Sequence, residues 1–376
     1  MIVGDGMADT PLAALGGKTP LQSVRYPHMA RLAGQSGVRM ASTTPEGFPA
    51  GTETAMPLLI GYGTEVLTGR GPVEAAGMGV VLPAGQFAMR VNLVRMDAHD
   101  ALTEACPELS DAEGLAAGNK LAADGEIQDI LGKVGWTLHP QPDFRQLVTG
   151  PGESVPDGMT PPHQVLGAAL SQYLPAHDTV AAFMRRGRGV LRGDGLGAWP
   201  WGAGLVPRYE PFAAKYGRRG AVISAVPVVR GMARLAGMDA PEVPGATGTL
   251  HTNWRGKADA VLAAALAGYG FVMLHVEAPD DCSHALDLQG KQQAIALLDE
   301  AIGWLRQGLA GHPYRMVLLP DHVTSTDTGR HGAQPVPWCV FDSRSPEGCP
   351  TRYAERGDVP VEPYTAPLRV LLGLQD

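Results

Sequence analysis

Residues 271–284 read FVMLHVEAPDDCSH, and this stretch decides the fold class. Its first half is a continuous apolar run, which is typical of a strand that is buried on both faces of a sheet. The second half places Asp280 and His284 directly after that strand. Because the two residues are four apart, a helical turn would bring both side chains to one face, where they could share a metal ion.

The same alternation of strand and helix extends to both sides of this stretch. A second apolar run lies at 221–225 (AVISA) and a third at 316–319 (MVLL). Helical patterns separate them, at 257–267 and at 289–309. Apolar strands that alternate with helices predict an α/β fold, in which a mostly parallel sheet is sandwiched by helices. In such sheets, catalytic groups collect beyond the carboxyl ends of the strands.

The rest of the chain is less regular. The run Met1-Ile2-Val3 indicates the carboxyl end of a strand whose first residues can precede Met1. Residues 53–63 fit a helix closed by glycine, and a further helical pattern runs through 111–131. The glycine-rich stretch 187–204 is typical of a linker or hinge. At 376 residues the chain is too long for one ordinary core, so we expect two domains.

Composition and charge exclude several classes of protein. The net charge is −8 and no basic stripe is visible, so nucleic acid is not an expected partner. Four scattered cysteines without a CxxC pair argue against a disulfide scaffold and fit a reducing compartment. We find no signal peptide and no run near the roughly 18 apolar residues that span a membrane. A cytoplasmic protein without a membrane partner is therefore expected.

Acidic residues and histidines follow three of the apolar runs, and the candidate metal ligands among them are Asp5, Asp280, His284, Asp321, His322 and His331. Singly, an Asp-His pair is more often a solvated turn. The spacing of all six leaves a structural role and a metal centre at one sheet edge as equal alternatives. Such a centre would suit Zn, Mn or a similar ion better than Ca. On an extended backbone the neighbours Asp321 and His322 would point apart and could serve different ions.

The segment PAGTET at 49–54 offers a nucleophilic hydroxyl. Thr52 is expected at the N-terminus of the following helix, where amide dipoles favour an anion. The alternative is that Thr52 is only the N-cap of that helix, although the two roles are compatible. Arginine binds phosphate and carboxylate through its planar fork, so Arg70, Arg90 and Arg230 are candidates for anion binding.

Together these segments resemble the archaeal-type, 2,3-bisphosphoglycerate-independent phosphoglycerate mutases of the alkaline phosphatase superfamily. The resemblance covers almost the whole chain and depends on the order and spacing of five stretches: 4–9 (GDGMAD), 59–75 (LIGYGTEVLTGRGPVEA), 243–253 (VPGATGTLHTN), 275–291 (HVEAPDDCSHALDLQGK) and 321–337 (DHVTSTDTGRHGAQPVP). It implies an alkaline-phosphatase-like, metal-binding domain at 1–68 and 206–376. A smaller, inserted α+β domain at 69–205 would bind the substrate.

The resemblance also implies a set of site residues and a reaction. One metal ion would be held by Asp5, Thr52, Asp321 and His322, and a second by Asp280, His284 and His331. Thr52 stands where the family has its serine nucleophile, so a covalent phosphothreonine would interconvert 3-phosphoglycerate and 2-phosphoglycerate. Two divalent ions would serve as cofactors, with Mn the first choice and Mg, Zn or Co the alternatives. Arg70, Arg90 and Arg230 lie in or near segments that we associate with substrate binding.

The chain departs from the family pattern around the nucleophile and the expected substrate pocket. Threonine replaces serine at 52, Glu53 replaces aspartate, Met56 replaces histidine, Arg230 stands near a family lysine, and Ser325 replaces a proline. The metal ligands are intact, so phosphoryl transfer on a small phosphorylated substrate is expected more firmly than phosphoglycerate itself. The alternatives are a phosphatase, another phosphoryl or phosphonyl transferase, and a catalytically inactive binding protein. The sequence does not indicate the oligomeric state.

Overall fold

The computed structural model describes residues 1–83 and 85–374. Its strands are β1 (Ile2–Gly4), β2 (Arg39–Ser42), β3 (Gln86–Met96), β4 (Leu102–Glu104), β5 (Thr137–His139), β6 (Arg145–Pro151), β7 (Leu196–Leu205), β8 (Gly220–Ile223), β9 (Phe271–Val276), β10 (Arg315–Leu319), β11 (Val323–Ser325), β12 (Arg330–Gly332), β13 (Val336–Asp342) and β14 (Val361–Pro363).

The α-helices are α1 (Pro20–Ser23), α2 (Pro27–Ser36), α3 (Thr52–Leu59), α4 (Arg70–Gly77), α5 (Asp111–Ala123), α6 (Gly125–Gly132), α7 (Asp178–Leu191), α8 (Phe212–Tyr216), α9 (Pro227–Leu235), α10 (Trp254–Leu266), α11 (Ala278–His284), α12 (Leu288–Gly308) and α13 (Ala366–Leu372). Short 3-10 helices lie at Ala13–Leu15, Thr64–Val66, Gly152–Ser154, Pro162–Gln164, Leu170–Gln172 and Arg192–Asp194. In the described ranges, no helix is long and apolar enough to cross a membrane.

The chain divides into two compact units. The first unit combines Met1–Leu67 with the chain from Arg208 onward, and the second consists of Thr68–Pro207. The first unit is built on a seven-stranded sheet in the order β14-β2-β13-β10-β1-β9-β8. Strands β8, β9, β1 and β10 are mutually parallel, whereas β13 runs antiparallel to both of its neighbours. The predicted α/β fold with a mostly parallel sheet is therefore confirmed.

The core of the first unit explains why its strands are apolar throughout. Strand β9 is buried along nearly its whole length, as a strand covered on both faces must be. Helices α10 and α12 pack against each other, and their apolar sides join Leu274 and Leu318 in one core. Glycine residues mark several helix ends; Gly61, just beyond α3, has a φ of 85°.

The second unit is an antiparallel sheet with helices packed on it. Strand β3 pairs with β4, β6 and β7, and β5 pairs with β6. Side chains from β3, β7 and α7 form its apolar core. The helical pattern at 111–131 is two helices, because Asp124 ends α5 and its side chain accepts a hydrogen bond from Ile127 N to cap α6.

The prediction of a linker or hinge at 187–204 was wrong. This stretch contains the end of α7 and most of β7, which is a well-buried strand. Its glycines serve close packing instead. A Cβ at Gly204 would lie 1.8 Å from the carbonyl oxygen of Thr68, and one at Gly197 would lie 2.8 Å from the sulfur of Met96.

Candidate metal centre

The carboxyl ends of three parallel strands bring the predicted acidic residues to one place. Strand β1 lies between β9 and β10, with Gly4 opposite Val276 and Val3 opposite Leu319. Asp5 follows β1 directly, α11 follows β9, and Asp321 follows β10. Because parallel strands end at the same sheet edge, the register itself places these segments side by side.

Asp5 lies at the middle of the site and is fully buried. Its Oδ2 contacts His275 Nε2 at 3.0 Å and accepts a hydrogen bond from Thr52 Oγ1 at 3.1 Å. His275 Nδ1 in turn lies 3.1 Å from Ser224 Oγ. Among the described residues, the other carboxylate oxygen, Oδ1, has no hydrogen-bond partner.

His322 faces two carboxylates, each of which has one oxygen that lacks a hydrogen-bond donor among the described residues. Thr324 Oγ1 donates to Asp280 Oδ1 at 2.5 Å, which leaves its lone pair for the Nδ1–H of His322 at 3.1 Å. These partners assign the tautomer in which Nε2 carries a lone pair. That atom lies 3.2 Å from Asp5 Oδ1 and 3.4 Å from Asp321 Oδ2, which also has no hydrogen-bond partner in the described chain. Three acceptors that face one another require a cation.

Asp280, His284 and His331 form a second group with the same property. Asp280 Oδ2 lies 3.1 Å from His284 Nε2, as the spacing of four on α11 predicts, and Asp280 Oδ1 lies 3.5 Å from His331 Nε2. Nδ1 of His284 contacts Gly329 O at 2.7 Å, and Nδ1 of His331 contacts Ala50 O at 3.1 Å. Since each Nδ1–H donates to a carbonyl, the two Nε2 atoms, which lie 3.0 Å apart, carry the lone pairs when both rings are neutral.

This donor set fits divalent ions. Candidate ligand atoms fall into three groups, each within 4.8 Å: Asp280 with His284 and His331; Asp5 with His275 and Asp321; and Asp5 with Asp280 and His322. Carboxylate with imidazole is a ligand set for Zn, Mn or related ions. The site is graded in exposure, because His284 is 44% exposed whereas Asp5 and Asp321 are 1% and 0% exposed.

The pKa values show how strongly the groups interact. Burial and the charge of Asp280 raise the pKa of Asp5, but hydrogen bonds from His275 and His322 outweigh them and hold it well below its usual value. Burial, followed by the charge of Asp5, raises the pKa of Asp321 to about 7.

The histidines respond in the opposite direction to their burial. Burial lowers the pKa of His322, but Asp321 and Asp5 outweigh it and raise the value to about 10. Burial likewise lowers the pKa of His284, and Asp280 raises it to about 9. Without an ion, protons on these imidazoles balance the carboxylates.

Thr52 is the first residue of α3, and its hydroxyl lies at the centre. Oγ1 is 3.1 Å from Asp5 Oδ2 and 3.4 Å from His322 Nε2. The N-cap of α3 is Gly51, so the alternative that Thr52 is that cap was wrong. A hydroxyl at the first helical position lies at the positive end of the helix dipole, where an anion is stabilised.

Gly6 allows the loop after β1 to pass close to the ligands. Its φ is +57°, and its amide donates to Asp321 Oδ1 at 3.1 Å. A Cβ at this position would lie 2.4 Å from Asp280 Oδ1 and 2.5 Å from Thr324 Oγ1. No side chain fits here without moving these groups.

Two details of the site differ from the sequence analysis. Asp321 and His322 do not point apart; the chain bends after β10 instead of continuing as a strand, so both face Asp5. His275 was given no role, although it contacts Asp5. Its role could have been predicted from its position, because His275 is the one polar residue in the apolar run 271–276 and lies next to a segment rich in candidate ligands.

The predicted substrate arginines lie outside this cluster of contacts. Arg230 is on α9, which packs against α3, and pairs with Glu242 at 2.6 Å. Arg70 and Arg90 belong to the second unit, where their guanidinium groups contact Glu74 Oε1 at 2.8 and 2.6 Å. Arg90 is 3% exposed, so its donors face the interior of that unit.

Comparison with known proteins identifies the family of this chain. The family model described as the Metalloenzyme superfamily matches residues 1–359. A 2,3-bisphosphoglycerate-independent phosphoglycerate mutase of Methanothermobacter thermautotrophicus is 36% identical over 91% of this chain and 87% of the relative. This chain belongs to the 2,3-bisphosphoglycerate-independent phosphoglycerate mutase family.

Further members of the mutase family are similar over comparable lengths. A probable mutase of Geobacter sulfurreducens is 35% identical, with 92% of this chain and 91% of the relative covered. Two solved structures share the fold: a Pyrococcus horikoshii protein (TM-score 0.79, 24% identity, 99% and 96% covered) and the cofactor-independent phosphoglycerate mutase of Thermoplasma acidophilum (TM-score 0.58, 21% identity, 99% and 98% covered).

Proposed function

We propose that this protein interconverts 3-phosphoglycerate and 2-phosphoglycerate by metal-dependent phosphoryl transfer through Thr52. The observation that carries the proposal is the Thr52 hydroxyl, 3.1 Å from Asp5 Oδ2, beside buried carboxylate oxygens that lack donors. Family membership supports the mutase reaction, and the metalloenzyme match supports a metal. The threonine intermediate is our inference from the geometry.

The ligand groups divide between two ions. Asp5, Thr52, Asp321 and His322 would hold one ion, and Asp280, His284 and His331 would hold the other. When bound, divalent ions supply Lewis acidity to the hydroxyl and to the phosphoryl oxygens. Mn is our first choice for both positions, with Mg, Zn or Co as alternatives, because the ligands mix carboxylate with imidazole.

In the first half of the reaction, Thr52 Oγ1 attacks phosphorus while the bond from phosphorus to the C3 oxygen of glycerate breaks. The hydrogen bond from Thr52 directs the hydroxyl proton toward Asp5 Oδ2. As its bond to phosphorus breaks, the C3 oxygen takes up the proton that Thr52 has released. In the second half, the C2 oxygen attacks phosphorus and gives up its proton, the bond from phosphorus to Thr52 Oγ1 breaks, and Thr52 Oγ1 takes up a proton. Atoms balance because the phosphoryl group leaves glycerate and returns to it.

Glycerate must stay bound between the two steps, since water would otherwise hydrolyse the phosphothreonine. We propose that the second unit binds the substrate through Arg70. Arg90, which is buried against Glu74 and Asn92, would hold that surface in shape. Arg230 remains a predicted substrate residue.

The decisive experiment is incubation of the purified protein with 3-phosphoglycerate and Mn²⁺, with 2-phosphoglycerate and inorganic phosphate measured in parallel. We expect 2-phosphoglycerate. Inorganic phosphate alone would identify a phosphatase on the same scaffold, and inertness toward both phosphoglycerates would mean a different phosphorylated substrate. A preparation that binds no divalent ion would indicate an inactive binding protein.

Variants at Thr52 test the intermediate. Thr52→Val keeps the shape of the side chain and removes the hydroxyl, so turnover should fall by at least about 10³-fold, as for other nucleophiles. Thr52→Ser restores the hydroxyl and should remain active. Mass spectrometry of acid-quenched enzyme should find phosphate on Thr52 in the parent and not in Thr52→Val. Activity of Thr52→Val within a few-fold of the parent would remove Thr52 from its role.

A further inference from the structure

Behind the metal centre lies a buried lysine whose hydrogen-bonding capacity is fully used. Lys291 is on α12 and is 0% exposed. Its ammonium group donates to Asp9 Oδ2 at 2.8 Å, to Thr324 O at 2.7 Å and to Ala8 O at 3.3 Å. Three donors therefore meet three acceptors, two in the loop that follows β1 and one in β11, which comes after β10 along the chain.

Asp9 completes the connection between those loops. Its Oδ2 also accepts hydrogen bonds from the amide of Thr326 at 3.1 Å and from the hydroxyl of Thr326 at 2.6 Å. The amide of Asp9 donates to Glu355 Oε1 at 3.0 Å. The loop after β1 is thus held to the loop after β10 by a carboxylate and an ammonium that are both buried.

One residue, Thr324, connects Lys291 to the candidate metal ligands. Thr324 accepts from Lys291 with its carbonyl oxygen, while its hydroxyl donates to Asp280 and contacts His322. Asp5 begins the loop that contains Ala8 and Asp9. Lys291 therefore lies one step behind ligands from all three segments, and is separated from Asp280 by only eleven positions along the chain.

We propose that the ion pair of Lys291 and Asp9 is a positioning device for the metal ligands. This inference rests on the proposed function, in that the centre must bind divalent ions. A single water molecule cannot replace the ammonium, because water has two donors and the ammonium meets three acceptors. Loss of the ammonium would let the two loops separate and would loosen Asp280 and His322. Partners one step behind metal ligands typically change metal affinity by about 10–100-fold.

The test is the Mn²⁺ dissociation constant of Lys291→Met, measured by calorimetric titration of folded protein. Methionine keeps the length of the stem and removes the three donors. We expect Mn²⁺ binding to weaken by about 10–100-fold, together with a lower melting temperature of the metal-free protein. If the parent itself binds no Mn²⁺, the proposed function fails. An unchanged dissociation constant in the variant, with a parent that binds, overturns the positioning role alone.

The second unit offers a matched control. Arg188 is also buried, and it also donates to one carboxylate and two carbonyls: Asp100 Oδ1 at 2.6 Å, Leu196 O at 2.9 Å and Asp97 O at 2.8 Å. Arg188→Met should lower the melting temperature and leave the Mn²⁺ dissociation constant within about twofold of the parent. Equal weakening by both variants would make the effect one of general stability.

A double variant distinguishes an effect on the position of the metal ligands from an effect on the stability of the protein. Lys291→Met combined with Asp9→Asn removes both buried charges, and pairs removed together are often tolerated. We expect the melting temperature to recover toward the parent while Mn²⁺ binding stays weak. Recovery of both would overturn the inference. If Lys291→Met does not fold, Thr326→Val removes one hydrogen bond to Asp9 and keeps the ion pair; a few-fold weakening supports the inference, and no change overturns it.

Discussion

Each unit contains a buried group of charges, and the two groups differ in the partners that their carboxylates have. In the first unit, carboxylate oxygens of Asp5 and Asp321 have no hydrogen-bond donor within the described residues, and Nε2 of His284 lies 3.0 Å from Nε2 of His331. In the second unit, one buried carboxylate, Glu74, accepts from both Arg70 and Arg90. The first group has an excess of acceptors, whereas in the second group two guanidinium groups share one oxygen of one carboxylate.

The pKa of the central carboxylate reflects this difference. Burial raises the pKa of Glu74, but Arg90, Arg70 and Arg145 outweigh it, so Glu74 stays ionised. In the metal centre, burial raises the pKa of Asp321 to about 7, and Asp5 acts in the same direction. An excess of acceptors requires an added cation, whereas a carboxylate that is already paired with guanidinium groups does not. The unpaired acceptors of the first group therefore support the proposed metal ions, and the second group is an ion pair within its own unit.

The largest expected effect is the loss of a shared carboxylate. Asp280→Asn removes a charge from the group that contains both His284 and His331, so Mn²⁺ binding and turnover should each fall by at least about 10³-fold. Asp281→Asn is the matched control, since Asp281 is the next residue on α11 and is exposed. Calorimetry and an activity assay measure the two effects. Equal behaviour of the two variants would contradict the proposed centre.

The second largest effect concerns the guanidinium-rich group. Glu74→Gln leaves Arg90 buried without its ionised partner, which should cost about 3 kcal/mol of unfolding free energy. Mn²⁺ affinity should not change. Glu104→Gln, in an exposed pair with Arg95, should cost about 0–1 kcal/mol. Denaturant unfolding gives both values, and a loss of Mn²⁺ affinity in Glu74→Gln would break the contrast between the two groups.

A substitution at Gly6 tests whether Mn²⁺ binding depends on the positions of the ligands, because it changes no charge. Gly6→Ala combines a positive φ with a Cβ 2.4 Å from Asp280 Oδ1, so it should displace a ligand. We expect Mn²⁺ binding to weaken by about 10–100-fold. Gly16→Ala is the control, because Gly16 has a φ of +65° and nothing within 4 Å of the added carbon. It imposes the same backbone strain of about 1–3 kcal/mol, and it should leave Mn²⁺ binding unchanged.

Much of the metal centre could be predicted because the topology of the sheet determines which residues lie close together. Asp5, Asp280 and Asp321 follow parallel strands, so their convergence needs only the strand pattern. The approach of Asp321 and His322 to the same carboxylate could not be predicted, because it depends on a bend after β10 that has no strong sequence signal. The contact of His275 with Asp5 was not predicted, because His275 lies inside an apolar strand and not after it.

Glycine was the least reliable guide. The stretch 187–204 predicts a hinge by composition, yet its glycines in β7 admit neighbouring backbone and side chains. A glycine-rich stretch can arise from close packing as well as from flexibility, so composition alone does not distinguish the two. Lys291 shows a related limit, since its partners Asp9 and Thr324 are far from it in the chain and only the fold brings them together.

The excess of acceptors in the first unit also predicts how Mn²⁺ affinity depends on pH. With pKa values raised to about 9 for His284 and about 10 for His322, both imidazoles are protonated in the metal-free protein at neutral pH. The stability that these protons confer is complete below the unfolded pKa of about 6.5 and is lost as pH rises through about 9–10.

Divalent ions must displace those protons, so Mn²⁺ affinity should rise with pH between about 6 and 9, by up to about tenfold per pH unit for each proton released. Titration calorimetry in buffers of different ionisation enthalpy counts the protons, and we expect at least about one per ion. His139, a half-buried residue of the second unit, provides a control, because the His139→Gln variant should release the same number of protons as the parent when Mn²⁺ binds. Binding without proton release would mean that the imidazoles are already neutral, and the excess of acceptors in the first unit would then be balanced in some other way.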